Sequence, residues 1–482
     1  MQLPKDLGTF HILGIGGIGM SAIAEILHDM GHSVQGADQK DSANVQRLRA
    51  KGIRVFVGHD AINLVGARYV VMSTAVKPDN PELMAARNKG LPIIRRAEML
   101  AELMRLYSTV SVTGTHGKTT TTSLIAHMFV SAGLDPTVIT GGIINDWGSN
   151  ARLGKGGAGE QWMVVEADES DGTFVKIPTQ IGVVTNIDPE HLDYFGSIKA
   201  MHHEYEAFYK KIPFYGLAVT CVDHPVVREM IARLTLREDG RRLLTYGKSR
   251  DADLILHNVR SDTGKTIFDA ELGRRVNGGA RMLSDVTLSY PGDYNALNAL
   301  AAIAVASEAG LSDELIREAL ANFSGVKRRF QLTGTWNGVS IFDDYAHHPI
   351  EIGAVLKAAR AGARGRVIGI VEPHRYSRVK DLFDEFSSCF SDADMVIVAP
   401  LYTAGEKPIE GIDHYTLAEG IRAKGHAAVI AVADARDIAT VLSQIAQAGD
   451  MVVCMGAGTL TETAHQLPSM LASEPRRAGG AL

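Results

Sequence analysis

The stretch Gly114-Thr115-His116-Gly117-Lys118-Thr119-Thr120-Thr121 stands between an apolar strand pattern, Thr109–Thr113, and a helical pattern. At such a turn, backbone N–H groups can surround phosphates, Lys118 can reach the terminal phosphates, and the Thr119 hydroxyl can bind Mg²⁺. Only two residues separate the two glycines, where the standard P-loop has four, so an ordinary P-loop kinase or GTPase is disfavoured. A threonine-rich helix cap is the weaker alternative, because a lysine in the first turn opposes the helix dipole.

A second glycine turn, Gly14-Ile15-Gly16-Gly17-Ile18-Gly19, follows the strand pattern His11–Ile15 and precedes a helical pattern from about Met20 to Met30. Asp38 ends the next strand, near the ~20-residue offset of a ribose-binding acid in dinucleotide-binding folds. The helix amino terminus offers N–H groups to a diphosphate. The pattern fits NAD, FAD or a nucleotide sugar equally well, and a tight turn without a ligand is the alternative.

Short β-branched runs alternate with helical patterns through most of the chain, which is typical of an α/β fold. At ~150 residues per domain, 482 residues indicate about three domains, which we place at 1–107, 108–324 and 325–482. Polar, strand-like residues from about Glu238 to Ser289 predict an antiparallel appendage. We expect a mobile loop at Gly154–Gly159 and a frayed end at Leu471–Leu482.

The remaining elements are predicted from hydrophobic periodicity. The predicted strands are Ser33–Ala37, Ile53–Val57, Tyr69–Ser73, Leu91–Ile94, Thr137–Thr140, Trp162–Glu166, Ile181–Thr185, Val339–Asp343, Val367–Val371, Met395–Ala399 and Met451–Met455. The predicted helices are Ala97–Leu106, Lys118–Ala132, Ala296–Ala309 and Asp313–Asn322.

Composition excludes several classes of function. Lysine and arginine number 49 against 55 acidic residues, and this net charge of −6 argues against nucleic-acid or membrane-surface binding. Cys221, Cys389 and Cys454 lie far apart, which fits neither a disulfide framework nor a zinc site and indicates a reducing compartment. No apolar run reaches the ~18 residues of a membrane span and no signal-peptide pattern is present, so we expect a cytoplasmic protein.

Glycine accounts for 49 of the 482 residues, above the usual ~7%. The glycines concentrate in the two turns described above and in Gly141-Gly142, Gly154–Gly159, Gly405 and the pair Gly456 and Gly458. We expect most of these places to bring the backbone close to a ligand, above all to phosphates.

An acidic segment, Glu166-Ala167-Asp168-Glu169-Ser170-Asp171, follows the predicted strand Trp162–Glu166. Carboxylate oxygens at a strand end beside a phosphate loop suit Mg²⁺, and strand alternation would place Glu166 and Asp168 on one face. A solvated acidic loop explains residues 168–171 equally well. His191, in the stretch Thr185–Asp193, can ligate a metal or contact phosphate oxygens.

Three polar groups follow in the later chain: Asn295 with Asn298, Lys327-Arg328-Arg329, and the histidine-rich Asp343–His348. The segment Glu372–Arg378 follows the next predicted strand, and two arginines at the carboxyl end of a strand form a natural carboxylate clamp. A solvated charge pair is the common alternative for Arg328 and Arg329.

Seven motifs together resemble the ATP-dependent Mur ligases of bacterial cell-wall synthesis, and the resemblance covers nearly the whole chain. The motifs are GTHGKTTT (114–121), the TN…HLD stretch (185–193), GIGGIGMSAIAE (14–25), DDYAHHP (343–349), PHRYSR (373–378), AGE (404–406) and MGAG (455–458). The resemblance implies a Rossmann-like amino-terminal domain for the UDP-sugar, a central P-loop-type ATPase domain, and a Rossmann-like carboxyl-terminal domain for the amino acid.

The same resemblance implies an activity, its cofactors and its partners. L-alanine would be joined to the carboxylate of UDP-N-acetylmuramate through an acyl phosphate, with release of ADP and phosphate, in the synthesis of a peptidoglycan precursor. ATP and Mg²⁺ would be the cofactors. Such chemistry needs positive charge near phosphoryl and carbonyl oxygens, not a serine or cysteine nucleophile. The residues do not identify the base that takes the proton of the amine.

The resemblance also implies the site residues. The UDP part would contact Gly16, Gly17, Gly19, Asp38, His59, Ser73 and Thr74. The ATP phosphates would contact Gly114, Thr115, His116, Gly117, Lys118, Thr119 and Thr120, and the adenosine part Asn295, Arg329 and Asp344. Thr119, Glu166 and His191 would bind metal. Tyr345, His347, His374, Arg375 and Arg378 would line the site where alanine meets the muramyl carboxylate, and the catalytic group would be Lys118, Glu166, His191, His347 and Arg375.

Three other functions remain open. A sibling ligase would add a recycled peptide to the same sugar. A nicotinamide- or flavin-dependent oxidoreductase would use Gly14–Gly19 and Asp38, but it leaves Lys118, Glu166 and the Arg375/Arg378 pair unexplained. A nucleotide-binding regulatory module would bind the same ligands without turnover.

Overall fold

The computed structural model describes residues 7–155, 160–262 and 264–473. The loop predicted at Gly154–Gly159 and the frayed end predicted at Leu471–Leu482 lie for the most part outside the described residues, at 156–159 and 474–482. The described chain divides into two units. One is drawn from Met1–Asn258, Phe268–Thr287 and Leu297–Ser324, and the other from Val259–Ile267, Leu288–Ala296 and Gly325–Leu482.

The first sheet is wholly parallel and has the order β3-β2-β1-β4-β5. Its elements are β1 (Thr9–Leu13), α1 (Ile18–Asp29), β2 (Val34–Asp38), α2 (Ala43–Ala50), β3 (Arg54–Val57), β4 (Ala67–Met72), α3 (Pro81–Asn88), β5 (Ile93–Arg95) and α4 (Arg96–Met104). The central strand β1 is almost wholly buried, as expected where helices cover both faces of a parallel sheet. Helix α2 was not predicted from the sequence, because only Val45 and Leu48 of this helix are buried and its hydrophobic periodicity is weak.

The second sheet has ten strands in the order β15-β14-β13-β12-β11-β10-β6-β9-β7-β8. Its elements are β6 (Ser108–Thr113), α5 (Lys118–Ser131), β7 (Thr137–Ile144), β8 (Ser149–Arg152), β9 (Trp162–Glu166), β10 (Ile181–Val184), α6 (Leu192–Phe195), α7 (Ile198–Lys211), β11 (Leu217–Cys221), α8 (Pro225–Leu234), β12 (Arg242–Gly247), β13 (Leu254–Asp262), β14 (Lys265–Leu272), β15 (Arg281–Leu288), α9 (Asp293–Glu308) and α10 (Asp313–Ala321). The phosphate-loop strand β6 lies between β10 and β9 and pairs parallel with both.

The prediction of an antiparallel appendage at 238–289 is wrong for the first strand of the region, β12. Strand β12 pairs parallel with β11 and with β13, so the region extends the ten-stranded sheet. Strand β12 is buried from Leu243 to Gly247, whereas β14 looks polar because it buries one face only, as its alternating burial shows.

The third sheet has the order β16-β17-β21-β18-β19-β20, with β16 antiparallel and the other pairings parallel. Its elements are β16 (Gln331–Trp336), β17 (Val339–Asp344), α11 (Pro349–Gly362), β18 (Val367–Val371), α12 (Tyr376–Asp381), α13 (Phe383–Ser388), β19 (Met395–Val398), α14 (His414–Ala423), β20 (Val429–Ala431), α15 (Asp437–Ile445), β21 (Met451–Met455) and α16 (Leu460–Ser473). The α/β class expected from the sequence is therefore confirmed. Within the described residues, the structure contains no helix whose length and apolar character would let it span a membrane.

Candidate active site

The phosphate loop, residues 114–121, is held in shape by the segment that follows β10. Asn186 accepts a hydrogen bond from the backbone N–H of His116 at 2.7 Å and donates one to the carbonyl of the same residue at 3.0 Å. Thr185 Oγ1 donates to that carbonyl at 2.6 Å. Gly117 caps α5 with φ of 84°, and a Cβ there would lie 2.6 Å from Asn298 Oδ1. Only glycine fits this turn, so the loop is preformed.

Lys118 is the first residue of α5, and its ammonium lies within the loop. Nζ donates to the carbonyls of Gly114 at 2.7 Å and Thr115 at 3.1 Å, and it pairs with Glu169 Oε1 at 2.7 Å. Burial opposes the charge, but the neighbouring carboxylates, Glu169 foremost, raise the pKa of Lys118 above its ordinary value. Lys118 is therefore a cation that the acidic segment stabilises, which explains how it tolerates the unfavourable end of the helix dipole.

Two groups of possible metal ligands lie near the phosphate loop. In the first, Glu166 accepts from Thr119 Oγ1 at 3.1 Å and from the backbone N–H of Gly141 at 2.6 Å. In the second, Glu169, Glu190 and His191 each offer one ligand atom, all within 4.8 Å of one another. Oε2 of Glu169 is buried and accepts no hydrogen bond from the described residues. Oxygen-rich donors of this kind suit hard divalent cations.

The acidic segment is not a solvated loop. Glu169 is only 2% exposed, and Arg96 donates to Asp171 Oδ2 at 2.9 Å. Strand β9 ends at Glu166, so a shared strand face for Glu166 and Asp168 stays a prediction. Asp168 lies 3.6 Å from Arg96, and although burial opposes ionisation, Lys118 and Arg96 lower its pKa.

His191 has a left-handed backbone, with φ of 55°, at the amino end of the short helix α6. Non-glycine residues adopt this conformation rarely and at a cost, and such strain is concentrated at functional sites. The turn brings the His191 ring to 3.8 Å from Glu169 and 3.9 Å from Glu190.

The glycine turn at 14–19 lies at the carboxyl edge of the first sheet. Asp38 Oδ2 accepts from the backbone N–H of Gly16 at 2.9 Å, and a Cβ on Gly16 would approach that carboxylate to the same distance. Ser73 and Thr74 follow β4 at this edge, and Ser73 Cβ lies 3.9 Å from the Cβ position of Gly14. Asp38 thus shapes the turn that we expect to hold the UDP part.

His59 belongs to a buried polar cluster behind that edge. Its Nδ1 lies 3.5 Å from Glu82 Oε1, while Glu82 Oε2 is 2.8 Å from Nε2 of the fully buried His11. Asn63 also donates to Glu82 Oε1, at 2.6 Å. Burial opposes ionisation of Glu82, but these donors lower its pKa. The carboxylate therefore anchors the loop that presents His59.

In the other unit, Asp344 ends β17 and is buried. Its oxygens accept from the backbone N–H groups of Phe330 and Ala346, each at 2.7 Å. Burial raises the pKa of Asp344 to about 6, even though Arg329 and these hydrogen bonds favour the carboxylate. Asn295 is also fully buried and donates to the carbonyl of Pro291 at 2.6 Å. Asp344 therefore fixes the turn that carries Arg329. A direct contact between Asp344 and adenosine stays a prediction.

Arginine and histidine side chains form a cationic cluster beside Tyr345. The guanidinium groups of Arg328 and Arg329 lie 4.7 and 5.3 Å from the Tyr345 ring centre. The ring of His347 lies 5.2 Å from that of Tyr345 and 5.5 Å from that of His374. Arg328 is therefore not a solvated charge; it also donates to the carbonyl of Gly456 at 2.7 Å.

His374 stacks on Tyr402, with ring centres 5.4 Å apart and planes within 14°. Burial, with the nearby His347, Arg378 and Arg375, lowers the pKa of His374 to about 4, so the ring is neutral near neutral pH. Arg375 has a positive φ of 69°, which is uncommon outside glycine, at the amino end of α12 and is exposed. The turn presents the arginine to solvent, as an anion-binding side chain requires.

The expectation that most glycine-rich places hold ligands fails at Gly456 and Gly458. A Cβ at these positions would lie 2.9 and 2.5 Å from atoms of Glu372. Glu372 accepts from the backbone N–H groups of Gly458, Thr459 and Leu460 at 2.9 to 3.1 Å. The amino terminus of α16 is therefore occupied by a carboxylate of the chain itself, which replaces an external anion.

Sequence reasoning missed three residues that shape the candidate site. Glu169 lay within the acidic segment but could not be told from its neighbours without the fold. Asn186 was noted as part of a motif without a role. Glu372 was noted beside a strand end, yet no local pattern indicates which helix a carboxylate caps.

A phosphate loop on a parallel α/β sheet, with a buried lysine and carboxylates beside it, defines the class of nucleotide-dependent enzymes. Three family models match the chain: the catalytic domain of the Mur ligase family at residues 9–108, the Mur ligase middle domain at 112–306, and the Mur ligase glutamate ligase domain at 328–458. The chain belongs to the Mur ligase family.

Curated relatives match along the full length. A UDP-N-acetylmuramate–L-alanine ligase of Methylobacterium nodulans is 56% identical over 473 residues, covering 98% of this chain and 99% of the relative. The protein of the same name in Allorhizobium ampelinum is 55% identical, with 98% of each chain covered.

Comparison with solved structures supports the same family. The UDP-N-acetylmuramate–alanine ligase of Thermotoga maritima superposes with a TM-score of 0.80 at 27% identity, covering 97% of this chain and 99% of the other. A murein peptide ligase of Psychrobacter arcticus shares the fold with a TM-score of 0.68 at 24% identity, over 97% and 99% of the two chains.

Proposed function

We propose that this chain joins L-alanine to the carboxylate of UDP-N-acetylmuramate, with conversion of ATP to ADP and phosphate. The observation that carries this conclusion is the 55% to 56% identity, over 98% of the chain, to ligases with that name. The product, UDP-N-acetylmuramoyl-L-alanine, is a peptidoglycan precursor, and we place the reaction in the cytoplasm, where its nucleotide substrates are found. The oxidoreductase leaves the buried Lys118 unexplained, and the relatives that support this proposal are named as ligases, not as regulatory modules.

We propose the ATP phosphates as the ligand of residues 114–120. Lys118 lies within this loop at the amino end of α5, and positive charge there would stabilise the phosphoryl group in transfer. Phosphates would draw the ammonium away from Glu169 Oε1, since both anions compete for the same donors. Glu169 would then be free to bind a cation.

Mg²⁺ is the proposed metal. Thr119 with Glu166, and Glu169 with Glu190 and His191, offer the donors that it prefers, and the buried unpartnered oxygen of Glu169 supports the second group. When bound, Mg²⁺ supplies charge neutralisation on phosphate oxygens. These side chains would orient the phosphates through the bound ion.

The other ligands are assigned to residues of the three proposed domains, 1–107, 108–324 and 325–482. The UDP part is assigned to the first, at Gly16, Gly17, Gly19, Asp38, His59, Ser73 and Thr74. The adenosine part is assigned to Asn295, Arg329 and Asp344. The amino acid and the muramyl carboxylate are assigned to Tyr345, His347, His374, Arg375 and Arg378, whose clustered positive charge suits two carboxylates.

A phosphate-release assay tests this function. Release should require ATP, UDP-N-acetylmuramate and L-alanine together, and a panel of other amino acids should give slower turnover. If a tripeptide outcompetes L-alanine, the sibling activity holds instead. Release that needs no amino acid would contradict ligation, and micromolar NAD(P)H binding would revive the oxidoreductase.

A further inference from the structure

The reaction needs a proton acceptor, because L-alanine is an ammonium near neutral pH and its nitrogen has no lone pair for attack. Two histidines lie in the cationic cluster assigned to the amino acid, His347 and His374, with ring centres 5.5 Å apart. Their surroundings differ, and this difference decides which of them can take a proton.

His347 is held in one tautomer. Its Nδ1 lies 2.9 Å from the carbonyl oxygen of Tyr345, and because a carbonyl only accepts, Nδ1 carries the proton. The lone pair of the neutral ring is then on Nε2, at the opposite side of the imidazole. The His347 side chain is 15% exposed, so it is not sealed from solvent.

The carboxylate of Glu351 lies close to the His347 ring, on its Nδ1 side. Glu351, in the first turn of α11, accepts from the backbone N–H groups of His347 at 3.1 Å and His348 at 3.3 Å. One of its oxygens lies 3.4 Å from His347 Nδ1. An imidazolium formed by protonation at Nε2 would therefore be stabilised by a fixed negative charge, the arrangement that orients a histidine base in other enzymes.

His374 lacks such support. The groups that act on it include the cationic or potentially cationic Arg375, Arg378 and His347, and the opposing carboxylate of Glu406 has a smaller effect. Its Nδ1 lies 3.5 Å from an Arg378 nitrogen, which donates to it. His374 is thus a neutral hydrogen-bonding group and a poor proton acceptor.

We propose that His347 is the general base that takes a proton from the ammonium of L-alanine. The proposal rests on the proposed function. The ammonium N–H bond breaks, its proton goes to Nε2, and the electron pair stays on nitrogen. That pair forms the N–C bond to the acyl phosphate, the C–O bond to phosphate breaks, and phosphate leaves with the electron pair and the second amine proton. The imidazolium then returns its proton to water.

Hydroxylamine as the nucleophile distinguishes a general base at His347 from a residue that only binds substrate. Near neutral pH it is already an uncharged amine, so it needs no base to attack an acyl phosphate. His347→Asn keeps a donor for the Tyr345 carbonyl and removes the base. With saturating L-alanine, we expect kcat of this variant to fall ~100-fold or more, the usual loss on removing a general base. Hydroxamate formation from UDP-N-acetylmuramate, ATP and hydroxylamine should fall by a much smaller factor.

The residual rate of His347→Asn with L-alanine should rise in proportion to hydroxide concentration, since free amine then comes from solvent. His374→Asn is the matched control and should slow both nucleophiles equally. His347→Ala, checked for folding by circular dichroism, should repeat the pattern. The proposal is overturned if L-alanine turnover is kept, or if hydroxamate formation falls in parallel. A wild-type protein inactive with both nucleophiles would contradict the proposed function instead.

Discussion

The ion pair between Lys118 and Glu169 allows stability and catalysis to be separated in one experiment. Lys118→Met removes the charge but keeps most of the side-chain length. Glu169 would then be a buried carboxyl group that has lost the ammonium at 2.7 Å. Burial already raises the pKa of Glu169 to about 7, so the variant must either keep an unpaired charge or take up a proton, and breaking one side of a buried pair costs about 3 kcal/mol. A loss of that size should lower the melting temperature by about 5 °C in a unit of this size.

The companion variant removes the stranded charge. In Lys118→Met with Glu169→Gln, an amide replaces the carboxylate, so we expect most of the lost melting temperature to return. Phosphate release should not return, because the positive charge toward the phosphates is still absent. Loss of one electrostatic stabiliser typically lowers kcat by ~10² to 10³.

Calorimetry without ligands and phosphate release with all three substrates measure the two effects. The reasoning about the buried pair is refuted if Lys118→Met melts at the wild-type temperature, or if the double variant is as unstable as the single one. Wild-type turnover in either variant would refute the assignment of Lys118 to phosphate. Binding of UDP-N-acetylmuramate by titration calorimetry should stay nearly unchanged and serves as the folding control.

Three further predictions concern other parts of the chain. Gly117→Ala should abolish ATP turnover because its Cβ would lie 2.6 Å from Asn298 Oδ1, whereas Gly133→Ala, with open space around it and φ of 74°, should cost only about 1 kcal/mol of backbone strain in thermal melts. Arg375→Ala should raise KM for L-alanine or the muramyl substrate far more than KM for ATP, and an effect confined to ATP in steady-state kinetics would place the residue wrongly. Asp450→Asn should destabilise by about 2 kcal/mol in urea unfolding at neutral pH, because the arginine and backbone donors of Asp450 outweigh its burial and lower its pKa below 3.8. Since a lowered folded-state pKa stabilises only above the unfolded value, the difference from wild type should shrink as pH falls below about 4, and a constant difference would contradict the argument.

Local spacing was enough to place most elements of the fold. The strand at Trp162–Glu166 and those at Val367–Val371 and Met451–Met455 begin and end where hydrophobic periodicity predicts. The partners of each strand were harder to predict, because pairing joins segments that lie far apart in the chain. Residues 238–289 show the limit, since one-sided burial gives the same alternation in a sheet extension and in an antiparallel appendage.

The sequence by itself determined that this protein has two glycine turns that begin helices, with a lysine in one of them, because such turns are built from consecutive residues. Only the tertiary structure decided which distant groups complete them. Glu169 lies 51 positions from Lys118, and Glu372 caps a helix 86 to 88 positions away at the very glycines that looked like a ligand loop. The physical reason is that burial and charge pairing depend on distance in space, and the parallel crossovers that bring these residues together are decided by the packing of whole strands and helices.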